Sequence, residues 1–245
     1  MRKVLSVLYL IYTAVIFIGL MFVVLPFVLL ASAIFTNTTG KRIILFLLRC
    51  WAWGFSIVSF FWIRTRNKNI INQNIPHIYI GNHGSYLDAI AVCISVPQHF
   101  SPLGKIEMTK VPIFGLIYKR IVVMIDRSSK ESREQSVNAL KKDIREGQSI
   151  LIFPEGTMNK SEKPLSEFYD GAFRIAIETQ TPLMPFVMLK NRDLLPRVNP
   201  LKARPGILTT FFIEPIAVKG LTLEDLPMLK QQVYDLMEEA IKRNS

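Results

Sequence analysis

The N-terminal region constrains this chain most, because Val4–Phe35 is a run of 32 residues without a charged side chain. As a straight helix rising 1.5 Å per residue, the run would extend about 48 Å, well beyond a hydrocarbon core of about 30 Å. Pro26 lies inside it and is expected to break or kink a helix. The run is too long for the apolar core of a cleaved signal peptide, although Ala31-Ser32-Ala33 resembles a cleavage site and keeps secretion open as an alternative. We therefore predict a membrane segment.

A second apolar stretch, Ile43–Ile63, follows a turn-rich break at Thr36–Gly40. It contains Arg49 and three tryptophans, a residue type that prefers the level of the lipid headgroups. We predict that residues 1–66 form a helical hairpin that anchors the chain in a membrane. Basic residues occur before the hairpin, in its turn and after it, so the positive-inside rule gives no orientation. Two arrangements stay open: a hairpin that dips into one leaflet and keeps every basic cluster on the cytoplasmic side, and one span followed by an interfacial helix.

The basic charge is concentrated beside these apolar segments. The chain carries a net charge of +11, yet no Asp or Glu precedes Asp88. Residues 1–87 hold eight bases: Arg2, Lys3, Lys41, Arg42, Arg49, Arg64, Arg66 and Lys68. An anionic membrane attracts such bases by about 1 kcal/mol each, whereas a nucleic-acid-binding protein would place them along a soluble groove. We expect membrane lipids as partners and no nucleic acid.

Beyond about residue 67 the pattern changes to short runs rich in β-branched and aromatic residues, which are typical of buried strands. These runs are His77–Gly81, Ile121–Ile125, Ser149–Phe153, Leu183–Met188 and Ile207–Ile213. Apolar residues at helical spacing lie between and after them, around Val137, Ala172 and Leu226. The alternation predicts an α/β domain over residues 67–245, with a largely parallel or mixed central sheet flanked by helices. Ligands in such sheets bind where strands end, so the loops after the strands are the candidate sites.

A histidine and an aspartate follow the first of these strands, in Gly81-Asn82-His83-Gly84-Ser85-Tyr86-Leu87-Asp88. In a turn that opens a helix, the Asp88 carboxylate can fold back to one ring nitrogen of His83. The other nitrogen then stays unprotonated and can take a proton, as in a base–carboxylate pair. On spacing alone a structural interpretation is also open, in which Asp88 caps a helix and His83 is an ordinary turn residue.

Three further segments carry candidate binding residues. Phe153-Pro154-Glu155-Gly156-Thr157 follows a strong strand, where Gly allows a tight turn. Gly104-Lys105-Ile106-Glu107-Met108 precedes Val111-Pro112-Ile113-Phe114-Gly115, and Asp126-Arg127 closes another strand. An arginine at a strand end can bind a phosphate with two hydrogen bonds. Each segment alone is also compatible with an ordinary turn or a surface charge. Cys50 and Cys93 are too few for a disulfide framework or a zinc knuckle, and we expect no metal site.

The order of these blocks resembles the membrane glycerolipid acyltransferases, and among them the 1-acyl-glycerol-3-phosphate acyltransferases. The resemblance rests on His-x4-Asp within NHGSYLD, then GK-x-E, IDR, FPEGT and Pro185 in a strand, and it spans about residues 80–187. The stretch Phe168–Phe173 and the segment Pro182–Val187 are also similar to family blocks. The resemblance implies transfer of a fatty acyl group from a thioester to the free hydroxyl of a lyso-lipid, with no cofactor.

The resemblance also implies roles for individual residues. His83 would act as general base and Asp88 would orient and stabilise its imidazole. Backbone N–H groups in the Asn82–Ser85 or Gly156–Thr157 turns would stabilise the oxyanion. Arg127, assisted by Lys105, would bind the phosphate of the acceptor, and Glu155, Gly156 and Thr157 would position its glycerol. An apolar groove for the acyl chain is predicted from Met108, Val111, Ile113 and Phe114, residues that core packing explains equally well.

One departure from the family pattern leaves the acceptor open. The family commonly continues Glu-Gly-Thr with Arg-Ser, whereas this chain has Met158-Asn159. Lysophosphatidate is the predicted acceptor, with another lysophospholipid or an amino-acid lipid as the alternative. A non-catalytic lipid-binding protein and a hydrolase are further alternatives, the latter without a G-x-S-x-G elbow. The acyl donor is coenzyme A or a carrier protein, and we expect an active site at the cytoplasmic face of a membrane.

Overall fold

The computed structural model describes residues 2–35 and 38–244 of the chain. In these ranges the helices are α1 (Arg2–Ile34), α2 (Thr38–Val58), α3 (Asp88–Ser95), α4 (Phe114–Ile121), α5 (Lys130–Arg145), α6 (Gly171–Thr179), α7 (Asn191–Leu194) and α8 (Leu226–Asn244). The strands are β1 (Phe61–Arg66), β2 (Ile78–Gly81), β3 (Phe100–Lys105), β4 (Val123–Ile125), β5 (Ser149–Ile152), β6 (Leu183–Leu189) and β7 (Gly206–Phe212).

The strands form one mixed sheet in the order β1-β7-β6-β2-β5-β3-β4. Every neighbouring pair runs parallel except β6 and β7, which are antiparallel. The predicted α/β fold with a largely parallel or mixed sheet is therefore confirmed. The strand β3 was not predicted, because Pro102 lacks a backbone N–H and argues against a strand inside a sheet.

Helices cover both faces of the sheet. On one face α1, α2 and α3 pack with inward side chains of the strands, including Tyr79, Phe186 and Phe212. On the other face α5, α6 and α8 pack over the alternate residues, including Ile78, Ile80 and Val187. Central strands buried on both faces explain why β2, β5 and β6 are continuous apolar runs in the sequence.

The two N-terminal helices pack against each other as a hairpin. Pro26 was expected to break or kink a helix, but α1 continues through it without a break. Within the described ranges, its segment Lys3–Ile34 is the one helix long and apolar enough to cross a membrane by length and composition. The predicted turn at 36–40 lies partly at residues 36 and 37, outside the described residues, and residues 38–40 already belong to α2.

Basic residues dock α2 along the α/β domain. The guanidinium of Arg49 donates hydrogen bonds to the carbonyl oxygens of Val96 (2.7 Å), Pro97 (3.0 Å) and Gln98 (2.7 Å) after the end of α3. The Lys41 ammonium lies 2.9 Å from the buried carboxylate of Asp143 on α5. Arg49 and Lys41 of α2 therefore bind protein groups, which fixes the hairpin to the sheet layer.

The C-terminal end of the predicted hairpin belongs to the sheet. Residues Phe61–Arg66 form the edge strand β1, which pairs with β7 along its whole length. Phe61 is fully buried, whereas Trp62 and Arg64 are exposed, so the segment alternates as a half-buried strand does. This differs from the predicted hairpin of residues 1–66, because Trp62 was interpreted as a headgroup-level residue and the six-residue alternation was overlooked.

Candidate active site

The parallel topology brings the predicted site residues to one edge of the sheet. The strands β2, β5, β3 and β4 run in the same direction, so their carboxyl ends share this edge. The loops that follow them carry His83, Glu155 and Arg127, and Lys105 is the last residue of β3. The sequence separates these side chains by tens of residues, and the sheet order joins them.

The His83 imidazole and the Asp88 carboxylate form a direct pair. The Nδ1 atom of His83 lies 2.8 Å from Oδ2 of Asp88, which is the first residue of α3. The same Oδ2 accepts hydrogen bonds from the backbone N–H groups of Gly84 (2.8 Å) and Ser85 (2.9 Å). The short loop after β2 thus folds back on the start of α3, which is the geometry needed for an oriented base.

A side chain that the sequence did not single out completes the contacts of Asp88. The amide nitrogen of Asn191 donates to Oδ1 of Asp88 at 2.6 Å, while the amide oxygen of Asn191 accepts the N–H of Arg192 at 2.9 Å. The second contact fixes which end of the amide faces the carboxylate. Asp88 is fully buried, and its two oxygens together accept hydrogen bonds from four donors.

The imidazole of His83 is held by Asp88 at one nitrogen and packs on an aromatic ring. The ring stacks on Phe153 with centroids 4.3 Å apart and an angle of 10° between the planes. The side chain keeps 20% of its surface exposed. Among the described residues no side chain or backbone group is hydrogen-bonded to Nε2 of His83. The geometry leaves Nε2 free to take a proton from an incoming group.

Glu155, which was expected to contact the substrate, binds backbone groups of the protein. Its carboxylate is nearly fully buried and accepts the backbone N–H of His83 (2.7 Å) and of Ser166 (2.8 Å). Burial raises the pKa of Glu155, and the two backbone hydrogen bonds oppose that shift. Each oxygen therefore accepts one backbone hydrogen bond, and Glu155 supports the backbone of His83, a contact that the sequence did not predict.

Most of the predicted oxyanion donors are already used. The N–H groups of His83, Gly84 and Ser85 bind carboxylates, and that of Gly156 binds the carbonyl of Phe153 at 2.9 Å. Within the described part of the chain, the exposed Thr157 retains a backbone N–H with no recorded acceptor. Of the two predicted donors in the turn after β5, Gly156 is therefore occupied and Thr157 is unoccupied.

Arg127 packs against the turn that contains Gly156. Its guanidinium carbon lies 5.7 Å from the ring centroid of Tyr169, and a Cβ atom at Gly156 would come within 2.4 Å of the Arg127 side chain. Gly156 also has a φ of +69°, a conformation that other residues rarely adopt. Lys105 pairs with Ile125, two residues before Arg127, so both bases lie at the same edge.

The segment before α4 forms an apolar cavity with α1. The cavity has a volume of about 430 Å³ and is lined by Ala14, Phe17, Ile18, Met21, Val111, Pro112, Ile113 and Phe114. Three of the four predicted groove residues thus line one cavity, and Met108 is not among its lining residues. Half of the wall comes from α1, which the sequence could not place there.

The short helix α7 joins two parts of the site. Asn191 contacts Asp88, and the guanidinium of Arg192 donates to the carbonyl oxygens of Ser161 and Lys163 in the loop after Thr157. The one sequence signal for these residues was their position directly after β6. Within the described ranges there is no group of three or more metal-ligating side chains that could hold an ion.

Comparisons with known proteins agree with this geometry. The acyltransferase family model matches residues 62–189, just over half of the chain. The chain is 30% identical to the 1-acyl-sn-glycerol-3-phosphate acyltransferase of Haemophilus influenzae over 67% of its length and 68% of that protein. It is 29% identical to the alpha form of that enzyme from Mus musculus, over 71% of its length and 62% of the mouse protein.

A solved structure has the same fold over nearly the whole chain. The 1-acyl-sn-glycerophosphate (LPA) acyltransferase PlsC of Thermotoga maritima superposes with a TM-score of 0.81, covering 99% of this chain and 97% of that one, at 21% identity. The matched family region begins at β1 and ends with β6, and it contains both His83 and Asp88. This chain is a member of the acyltransferase family.

Proposed function

We propose that this protein transfers a fatty acyl group from an acyl thioester to the free hydroxyl of 1-acyl-glycerol-3-phosphate and so forms phosphatidate. The single observation that carries the proposal is the His83–Asp88 pair, with Nδ1 held at 2.8 Å by a fully buried carboxylate and Nε2 open. The relatives from Haemophilus influenzae and Mus musculus carry this activity in their names.

In the proposed reaction, Nε2 of His83 takes the proton of the lyso-lipid hydroxyl while the oxygen attacks the thioester carbonyl. Asp88 keeps the other proton on Nδ1 and stabilises the imidazolium, a role typical of such pairs. The tetrahedral oxyanion is stabilised by the backbone N–H of Thr157. Collapse breaks the carbon–sulfur bond, and the departing thiolate receives the proton from His83. No cofactor takes part in these steps.

The acceptor phosphate is assigned to the bases at the carboxyl edge. Arg127 lies beside the Gly156 turn, and Lys105 ends the neighbouring strand, so both charges flank the approach to His83. A guanidinium can bind phosphate with two parallel hydrogen bonds. Because Met158 and Asn159 stand where the family commonly has Arg-Ser, acylation of a different lyso-lipid is the second candidate function.

The acyl chain is assigned to the cavity between α1 and residues 111–114, because its lining is apolar and one wall is the helix that faces lipid. A chain could enter it from the membrane without crossing water. The donor, coenzyme A or a carrier protein, contributes its thioester from the open side of His83. The size of the cavity would limit the length of acyl chain that it can hold.

The hairpin supports attachment to one face of a membrane. The helix α2 packs along the α/β domain, and α1 contacts both α4 and the turn at Pro200–Lys202. A perpendicular span would pull these contacts into the hydrocarbon core, where irregular backbone is costly. The outer face of α1 is apolar and exposed, with Leu8, Val15 and Phe22 each more than half exposed. We infer that α1 lies in one leaflet, with the active site on the cytoplasmic side.

The proposed reaction is tested by supplying the purified protein in vesicles with a panel of lyso-lipids and each donor type. Product from lysophosphatidate with one donor supports the assignment. The Arg127→Gln variant should raise KM for lysophosphatidate by about tenfold and leave KM for an uncharged monoacylglycerol unchanged, because a charged hydrogen bond is worth about 1.5–3 kcal/mol. Turnover of other lyso-lipids without any product from lysophosphatidate would reject the acceptor.

Asn191 is expected to act as a positioning residue through Asp88. The Asn191→Leu variant removes one of the four donors to a buried carboxylate, and we expect kcat to fall by about 10- to 100-fold with little change in KM. In Asn191→Asp, the introduced carboxyl can donate to Asp88 only while it is protonated. Relative to the unchanged protein, the activity of that variant should therefore be highest at acidic pH and should fall as pH rises.

The two variants are compared by measuring kcat against pH in the same vesicles. Arg204→Ala is the matched control, because Arg204 donates to the carbonyl of Asp193 (3.1 Å) and helps to hold α7 without touching Asp88. The control should keep the shape of the original pH profile. An Asn191→Asp profile that is parallel to that of the unchanged protein would contradict the positioning role.

A further inference from the structure

The segment between α7 and β7 contacts both α1 and the loop between β2 and α3, which carries His83 and which we call the catalytic loop. The hydroxyl of Ser85 donates to the carbonyl of Leu195 at 2.8 Å, and Ser85 forms an isolated β-bridge with Pro196. The Arg197 guanidinium lies 5.1 Å from the ring centroid of Tyr86, two residues before Asp88. At its other end, the turn Pro200–Lys202 packs against α1. We call residues 195–204 the linking loop.

The linking loop exposes two large apolar side chains, which are unusual on a loop that contacts only water. Val198 is 69% exposed and Leu201 is 55% exposed, although the neighbouring Leu194 and Ala203 are buried and hold the loop in place. The exposed surface continues through Phe60, whose carbonyl accepts the N–H of Gly206 after the loop. Tyr9 and Tyr12 of α1 donate hydrogen bonds to the carbonyl oxygens of Ser59 and Val58, so hydrogen bonds join α1 to the residues directly before Phe60.

The charge of this surface has one sign. Arg197, Lys202 and Arg204 lie in the loop, and no Asp or Glu occurs between Leu194 and Ile213. The strand β1, which pairs with β7 directly after the loop, adds the exposed Arg64 and Arg66. Apolar side chains bordered only by bases are complementary to the headgroup layer of an anionic bilayer. Two exposed apolar residues are too few for a protein interface of ordinary size.

We propose that the linking loop is a second membrane contact, separate from the hairpin, that binds anionic phospholipid headgroups and holds the His83 loop at the lipid surface. Val198 and Leu201 insert at the headgroup level, and Lys202 with Arg197 binds phosphate groups. The inference rests on the membrane attachment in the proposed function, but it does not require acyl transfer. Because Ser85 and Tyr86 contact the linking loop, binding of that loop to lipid restrains the position of the catalytic loop.

A fluorescent probe measures the contact directly in the full-length protein. An environment-sensitive fluorophore is attached to Val198→Cys, in a background with Cys50→Ser and Cys93→Ala, and the protein is bound to vesicles carrying spin-labelled lipids. We expect quenching in vesicles that contain phosphatidylglycerol, and weaker quenching in phosphatidylcholine alone or at high salt. A probe on Leu223→Cys, which is exposed beside α8 on the opposite face of the sheet, is the matched control.

The outcomes separate this proposal from the proposed reaction. Quenching at position 198 in the His83→Ala background supports the loop contact even when acyl transfer is absent. Quenching at position 198 no greater than at position 223 would overturn the contact, and equal quenching in both lipid compositions at every salt concentration would overturn the preference for anionic headgroups.

A second measurement compares acyl-transfer activity between variants that leave His83 and Asp88 unchanged. The Val198→Ser/Lys202→Gln variant should act about fivefold more weakly on phosphatidylglycerol vesicles, because one base near an anionic surface is worth about that factor. Its activity in neutral detergent micelles should be unchanged. The Lys130→Gln/Lys142→Gln variant, on α5 at the opposite face of the sheet from α1, should match the unchanged protein in both media. An equal loss in vesicles and micelles would contradict the membrane contact.

Discussion

Replacement of His83 by alanine should lower kcat for acyl transfer by about 10²–10⁴, because no other described side chain shares its place between Asp88 and the open side of the site. The loss should appear in kcat at saturating acceptor, since the imidazole acts in the transition state. The measurement is single-turnover and steady-state transfer in vesicles. Because the ring stacks on Phe153, thermal unfolding of the variant must be followed in parallel.

His99→Ala is the matched control for this variant. His99 is also partly buried, but it directly precedes β3 and so lies at the amino end of the sheet, away from the site. The control should retain its kcat. If the His83→Ala protein is folded and transfers acyl groups at the original rate, the catalytic interpretation is wrong and a non-catalytic lipid-binding role replaces it.

The Asp88→Asn substitution should cause a loss of similar size, about 10²–10⁴ in kcat. The amide is neutral and cannot stabilise the imidazolium, and its NH₂ group must face either Asn191 or the three donors at Oδ2. The size of the loss is read from kcat at constant acceptor, and the fraction of folded protein is read from thermal unfolding.

Asp143→Asn tests whether loss of any buried carboxylate has this effect. Asp143 is buried and pairs with Lys41 of α2, so its replacement weakens the docking of the hairpin without touching the loop after β2. We expect a lower unfolding temperature and an unchanged kcat for the folded fraction. Equal losses of kcat in both variants would mean that Asp88 contributes only to stability.

Local patterns predicted the central elements well. The strands β2, β5, β6 and β7 are short β-branched runs bounded by Pro, Gly and polar residues, and the spacing around Val137 and Leu226 predicted α5 and α8. Thr222 and Asp225 form a capping box directly before α8. The prediction missed β1 and β3, because tryptophan was interpreted as a membrane-interface residue and Pro102 does not suit a strand inside a sheet.

The site was predicted in part, and the reason is sequence distance. The fold-back of Asp88 on His83 spans five residues, so local turn chemistry was enough to propose it. Asn191 reaches Asp88 over 103 residues, and nothing in its neighbourhood marks it. The contacts of Glu155 with the backbone of His83 and Ser166 could not be predicted for a related reason, because these partners become close to it only after folding.

The sequence by itself determined the apolar arm, the α/β pattern and the pairing of His83 with Asp88, because hydropathy and turn preference act over a few neighbouring residues. Tertiary structure decided how α1 and α2 pack on the sheet, which side chains support the imidazole and which apolar loop residues stay exposed. These outcomes depend on the order of strands in the sheet and on contacts between distant segments, which no local pattern encodes.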